Sequence, residues 1–438
     1  MESVTPALAI GAAWERTSDG DPEERATFAM LSIRCGDIVL TEGHDTFVDR
    51  LRDGPLVSAY HAAEWLAWNW WRLRWEPKTS REDWLFAHDM TTIGHGYVWP
   101  NVTIRSDGHR VAFTARPSRR PDAKPFRYIV DRTLIVGAGA FEGAIDGLIP
   151  AVIERLRLGG IGETNLDRIW RGVTAERADP ALSLQRRIEA LRGDDPDDAD
   201  DAVIAARLAD APEAGIEAVA ELAAHEGAGG RHHSLADLRT WAHRAGFETD
   251  PRDAVALAGG GIAAASWHPA WVVGGEAARA LRRQEGLGAA PVSTARLEAL
   301  AGIIRGAVVA DAGGGELSFA LNDTASRIVL RSRWETGRRF DLARLIGDRL
   351  AIHIGERLRP ATRTYTWRQQ LQRAFAGEFL CPFEAAADML HGDYSDESIE
   401  EVARHFDVST WTVSTHLMNH GRISRDEIGR DVGTDAAA

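Results

Sequence analysis

Apolar positions recur at strand-like and at helical spacings in turn along this chain, and the alternation predicts a multidomain α+β protein. Thr27 to Leu40 reads as two short strands around Cys35-Gly36-Asp37. Val102 to Thr114 reads as a hairpin with Asp107-Gly108 at its turn. Between them, Ser58 to Glu76 has the pattern of a helix that Ser58 caps and Pro77 ends. Its apolar residues include Trp65, Trp68, Trp70, Trp71 and Trp75 and cover more than one face, as in a helix buried on several sides. A stacking platform or partner surface is the alternative use of so many indoles. These elements define an α+β unit over residues 1 to 135 to which the sequence gives no role.

Residues 136 to 265 read as a mainly helical region. Phe141 to Leu158, Leu182 to Leu191 and an Ala-rich stretch from Val203 to Ala224 form its helices, with an acidic break at 193 to 201. That break lacks the ligand spacing of a calcium loop and reads as a solvated start to the next helix. The glycine runs at 227 to 230 and 259 to 261 lack the spacing of phosphate loops.

The pattern is sharpest over a third unit, 266 to 425. Helices are expected at Gly274 to Leu287 and Pro291 to Ile304, then strands at 308 to 310, 317 to 321 and 328 to 331. Helices follow at Arg338 to Leu350 and Trp367 to Leu380. Ser395 to Phe406 and Ser409 to Asn419 form a closing pair with the shape of a helix-turn-helix. Residues 426 to 438 read as a disordered tail.

Composition narrows the class. No stretch approaches the roughly 20 apolar residues of a membrane span, and the N-terminus lacks a secretory pattern. With Cys35 and Cys381 as the only cysteines, neither a disulfide framework nor a thiolate zinc site can be built, and a cytoplasmic protein is expected. The net charge of −14 argues against general nucleic-acid binding. Arg327 to Arg373 runs the other way, with 12 arginines against Glu335, Asp341, Asp348 and Glu356. His44-Asp45, His61, His88-Asp89 and His95 have no diagnostic metal spacing, and scattered polar residues account for them.

Two stretches carry more information. Arg339-Phe340-Asp341-Leu342-Ala343 precedes a helix containing Gly347, and Phe375-Ala376-Gly377-Glu378-Phe379-Leu380-Cys381-Pro382 ends a later one. Their order and separation, behind an opening helix at Gly274, resemble the ImmA/IrrE metallopeptidase domain. The resemblance covers a little over a third of the chain. It implies a zinc helix of HExxH type, whose paired histidines one turn apart hold the metal while the glutamate activates water. It also implies a third ligand from the later helix.

Carried over position by position, the first histidine is Arg344, the glutamate Leu345, the second histidine Asp348 and the third ligand Gln369. A guanidinium cannot ligate a cation, and Leu345 cannot activate water. No metal or other cofactor is expected, and zinc enters only if this reading of the motif is wrong. Arg344 and Asp348, now oppositely charged at i and i+4, are expected to pair, with Gln369 as an extension. His416 and His420 form a second i, i+4 pair near His391 and His405, but a packing helix or groove wall is the preferred reading there.

The resulting expectation is a pseudo-peptidase with no catalytic residues, acting as a regulatory, stress or defence component. Its partner would be a protein or peptide, held in a cleft rimmed by Arg338, Arg339, Arg344, Arg349, Arg368 and Arg373, which favours acidic peptides. An active zinc peptidase with unusual ligands is one alternative. A nucleic-acid-binding regulator using the Arg-rich segment and the terminal helix pair is another.

Overall fold

The computed structural model describes residues 8–119, 125–196, 199–258, 268–303, 306, 308, 315–323, 325–352 and 355–423. It is a multidomain α+β chain, with helices throughout and several small antiparallel sheets. Two compact units divide at Ile204.

Among the described residues, the first unit has the strands β1 (Leu8–Trp14), β2 (Phe28–Cys35), β3 (Ile38–Val39), β4 (Gly43–Asp45), β5 (Arg50–Arg52), β6 (Leu56–Ser58), β7 (Val102–Ser106), β8 (Arg110–Ala115), β9 (Phe126–Tyr128) and β10 (Arg132–Gly137). One sheet runs β1-β2-β3 with β6 also on β2, a second runs β10-β8-β7 and a third β5-β4-β9. The turns are those expected. Gly36, at φ 59°, joins β2 to β3, and Gly108, at φ 94°, turns the β7–β8 hairpin. Helices α1 (Pro22–Thr27), α2 (Ala59–Trp68), α3 (Trp70–Trp75), α4 (Trp84–His88), α5 (Ala138–Leu158), α6 (Asn165–Ala178) and α7 (Pro180–Arg192) complete it.

The single Trp-rich helix expected at 58 to 76 is broken at Asn69 into α2 and α3. Its core role holds for Trp70 and Trp71, which are buried, while Trp68 is half exposed. Residues 136 to 192 do not belong to a separate middle region. Phe141, Ile145, Leu148, Ile149 and Val152 on α5 enter the same core as β2, β7, β8 and α2, because α5 starts directly from the end of β10.

Helix α8 (Asp201–Ala214) spans the division, and the second unit continues with α9 (Ile216–Gly227) and α10 (Leu235–Ala245). The Ala-rich helix expected at 203 to 224 is therefore interrupted at Gly215, which adopts φ 107°. Next come β11 (Phe247–Glu248), α11 (Ala270–Gln284), α12 (Thr294–Leu300), β12 (Ser318–Leu321), β13 (Arg327–Val329), α13 (Glu335–Ala351) and β14 (Leu358–Ala361). Helices α14 (Trp367–Leu380), α15 (Phe383–Leu390), α16 (Asp396–Phe406) and α17 (Thr410–Asn419) close the unit. The expected strand at 308 to 310 lies mostly outside the described residues, as do the tail at 426 to 438 and part of the acidic break.

The sheet order is β11-β13-β12-β14, antiparallel throughout. One core gathers α11, α13, α14 and the terminal pair α16–α17. Two glycines let these helices approach closely. A Cβ on Gly274 would lie 2.5 Å from the Leu371 carbonyl oxygen, and one on Gly347 would lie 2.4 Å from the Phe375 ring. Phe375 is fully buried, so helices α11, α13 and α14 meet around it. The packing face expected on the terminal pair is buried as well, at Ile399, Val402, Ala403, Val408, Val413 and Leu417.

Candidate functional site

Helix α13 carries its polar motif residues toward α14 and β14. Arg344, Asp348 and Gln369 are all buried. Arg344 and Asp348 do not pair directly. Each finds a partner from a different element, because β14 and α14 bring stronger partners than the next turn of α13 offers.

Asp348 accepts from Arg368 Nε at 2.7 Å and Nη2 at 2.8 Å, from Arg359 Nη1 at 2.9 Å and from Gln372 Nε2 at 2.9 Å. Burial alone would push this carboxyl up. The charge and hydrogen bonds of Arg368, with Arg359 and Gln372, outweigh it and hold the pKa at about 2. Arg368 also donates to Glu356 at 2.8 Å. Glu356 in turn accepts from the backbone N–H groups of Glu217 at 2.8 Å and Ala218 at 3.1 Å. Those donors exist because Gly215 interrupts the Ala-rich helix and exposes a new helix N-terminus to the carboxylate.

Arg344 donates to the Thr362 carbonyl at 2.5 Å and to Gln369 Oε1 at 2.7 Å. Its nearest carboxylate is Asp341, at 3.5 Å, and its Nε is buried without a hydrogen-bond partner. Gln372 joins the two halves: its Oε1 lies 3.3 Å from Arg344 Nη2, while its Nε2 donates to Asp348. Arg344 and Asp348 thus belong to one network through Gln372, and the expected extension to Gln369 is present on the Arg344 side. Glu221 lies at the edge and accepts from Thr366 at 2.8 Å. Burial pushes its carboxyl up to about 7, against the opposing pull of Arg368 and hydrogen bonds from Thr366 and Gln369.

These positions do not fit a zinc ion. Asp348 already accepts four hydrogen bonds, Gln369 Oε1 accepts from Arg344 and Thr362, and the guanidinium groups of Arg359 and Arg368 lie against Asp348. Leu345 faces the other way. With Leu342, Ile346, Leu300 and Ile328 it lines an apolar cavity of about 160 Å³, which Arg349 and Arg359 also border.

The arginines expected to rim a cleft are mostly turned inward. Arg338 donates to the carbonyls of Val308 and Arg333. Arg339 donates to Val292, Thr294 and Asp407, clamping the start of α12 to the α16–α17 turn. Arg344 and Arg368 are buried in the network. Arg349 donates to the Pro251 carbonyl and Arg373 to Thr364, and both are half-buried. Of the whole basic segment, Arg333, Arg357 and Arg363 are exposed. Desolvating that many guanidinium groups is tolerable because backbone carbonyls and carboxylates take up their donors.

The histidines of the first unit are accounted for by local packing. His88 is fully buried, with Nδ1 2.8 Å from the Ile104 carbonyl and Nε2 2.9 Å from Glu76. His61 stacks on His95 and lies 3.0 Å from Glu24, and His44 lies 2.9 Å from Asp49. Among the described residues, none of them belongs to a set of three side chains close enough to hold one ion.

No family model, curated protein or solved structure matches this chain. The resemblance to the ImmA/IrrE domain therefore rests on the two motif skeletons and on the order of elements around them. No described helix is long and apolar enough to cross a membrane.

Proposed function

We propose that the second unit is a catalytically inactive, ImmA/IrrE-like module that regulates a protein partner in a stress or defence response. The observation that carries the loss of catalysis is the engagement of Asp348 by Arg368, Arg359 and Gln372, and of Gln369 by Arg344 and Thr362, in a buried network. No carboxylate at the motif positions is left to activate water, and the residue at the general-base position lines an apolar cavity. That cavity supports a peptide partner. It is the size of one large apolar side chain, and Arg349 beside it favours an acidic neighbour in the bound segment. The inward orientation of most of the Arg-rich segment favours a protein partner over a nucleic acid.

The test uses the full-length chain with added zinc chloride, casein and a random peptide library, read by mass spectrometry. No cleavage is expected, and cleavage that a zinc chelator stops would overturn the reading. The same library, screened for binding, is expected to enrich peptides with an apolar residue beside Asp or Glu. That enrichment should disappear with Arg349→Glu; a library with no enrichment would remove the partner half of the proposal.

A further inference from the structure

Helix α17 brings a second set of ligand-type side chains together, away from the degenerate motif. His416 and His420 are one turn apart, and Glu378 from the end of α14 reaches the same point. One ligand atom from each lies within 4.8 Å of the others. We infer that Glu378, His416 and His420 form a binding site for a zinc-class divalent ion, which fastens the terminal helix to α14.

The separation between Glu378 and His416 is that of two ligands on one metal rather than of a close ion pair. His416 Nε2 is 3.3 Å from Glu378 Oε2. A charge-assisted hydrogen bond between such groups is normally about 2.7–2.9 Å. Two ligand atoms about 2.0–2.1 Å from a tetrahedral zinc lie roughly 3.3–3.4 Å apart. The ring is also poorly satisfied as it stands, since His416 Nδ1 is buried and makes no hydrogen bond.

The surroundings hold the ligands without using up their donor atoms. Phe383 stacks on His420 at 3.6 Å between centroids, nearly parallel, and so fixes that ring. Arg279 reaches Glu378 Oε1 at 3.2 Å, leaving Oε2 on the histidine side, where the Phe383 N–H approaches at 3.3 Å. Glu384 adds negative charge near His420, and Arg279 adds positive charge. Cys381 is not among the ligand-type side chains that meet at this point. Two imidazoles and one carboxylate suit zinc among common divalent ions. His420 is exposed, so the fourth position faces solvent and takes a water. Leu417, next to His416, is buried in the core, so no general base adjoins the histidine on its helix.

The experiment strips the full-length chain with EDTA and titrates zinc chloride against a chromophoric chelator. One equivalent is expected to bind and to raise the melting temperature. Cobalt chloride should give the visible absorption of a tetrahedral site. His420→Ala removes an exposed ligand, so the core stays intact, and circular dichroism checks the fold. Affinity should fall by roughly a hundredfold or more, beyond the 10–100-fold that a lost supporting contact costs. Glu378→Gln should fall similarly. Arg344→Met, in the degenerate motif, should leave zinc affinity unchanged. Absence of zinc binding, or affinity unmoved by His420→Ala and Glu378→Gln, overturns the site and leaves the inactive-peptidase reading standing. Zinc lost in Arg344→Met and retained in His420→Ala would place the metal in the motif and overturn both.

Discussion

Arg368 grips Asp348 with two hydrogen bonds, at 2.7 and 2.8 Å, across the interface between α13 and α14. Asp348 is fully buried, and Arg359 shares its Oδ2 with Arg368. Removing the carboxylate leaves two guanidinium groups buried without their main partner. Asp348→Ala is expected to destabilise the second unit by about 3–5 kcal/mol, measured by urea unfolding of the full chain. Arg344→Met should cost less than half as much. Its nearest carboxylate is 3.5 Å away and one of its nitrogens already lacks a partner, so its removal relieves desolvation as it breaks contacts. Equal costs for the two would mean that the network does not center on Asp348.

That asymmetry marks where sequence reading stops. The i, i+4 spacing of Arg344 and Asp348 is local and visible, so pairing between them is the natural expectation. Their actual partners, Arg359 on β14, Thr362 just after it, and Arg368 and Gln372 on α14, carry no signal in a one-dimensional pattern. Strand β14 was itself hidden. Pro360 sits in a short edge strand, where its missing N–H is tolerated, yet its carbonyl accepts from both Gln369 and Gln372. The long periodic helices were legible: α14 spans the expected Trp367–Leu380, and α17 and α13 agree within a few residues. The His416–His420 spacing was legible too, whereas Glu378 joins it only through the packing of α14 on α17. Helix α5 follows β10 without a linker and shares its core, a continuity that composition does not display.

Gly347 tests whether α13 and α14 must touch. A methyl group there would stand 2.4 Å from the Phe375 ring, and the Phe375 backbone is itself packed against Gly274. Alanine gains about 1 kcal/mol in helix propensity. Overpacking a fixed core costs about 1–3 kcal/mol, so Gly347→Ala is expected to be net destabilising in thermal or urea unfolding. Phe375→Leu, added to it, should recover part of the loss by shortening the ring that the methyl meets. A stabilised single variant would show that the helices can separate freely.

Glu221 gives the second unit a pH dependence of defined sign. Its carboxyl is buried, and its pKa is raised from 4.5 to about 7 on folding. The folded state holds that proton more tightly than the unfolded chain does. The stability it contributes is fully present below about 4.5 and is lost as pH rises through about 7, where a buried charge must form. The loss is at most on the order of 3 kcal/mol, from 1.36 kcal/mol for each pH unit of the window. Arg368 and Thr366 remain to receive the charge, so the unit weakens at alkaline pH without unfolding outright. Glu221→Gln keeps an acceptor for Thr366 and never ionises. It is expected to flatten the dependence of stability between about pH 4.5 and 7 and to be more stable than the parent at pH 8, as measured by urea midpoints across that range. A parent protein whose stability rises through this window, with the variant following the same curve, would show that Glu221 is already ionised in the fold.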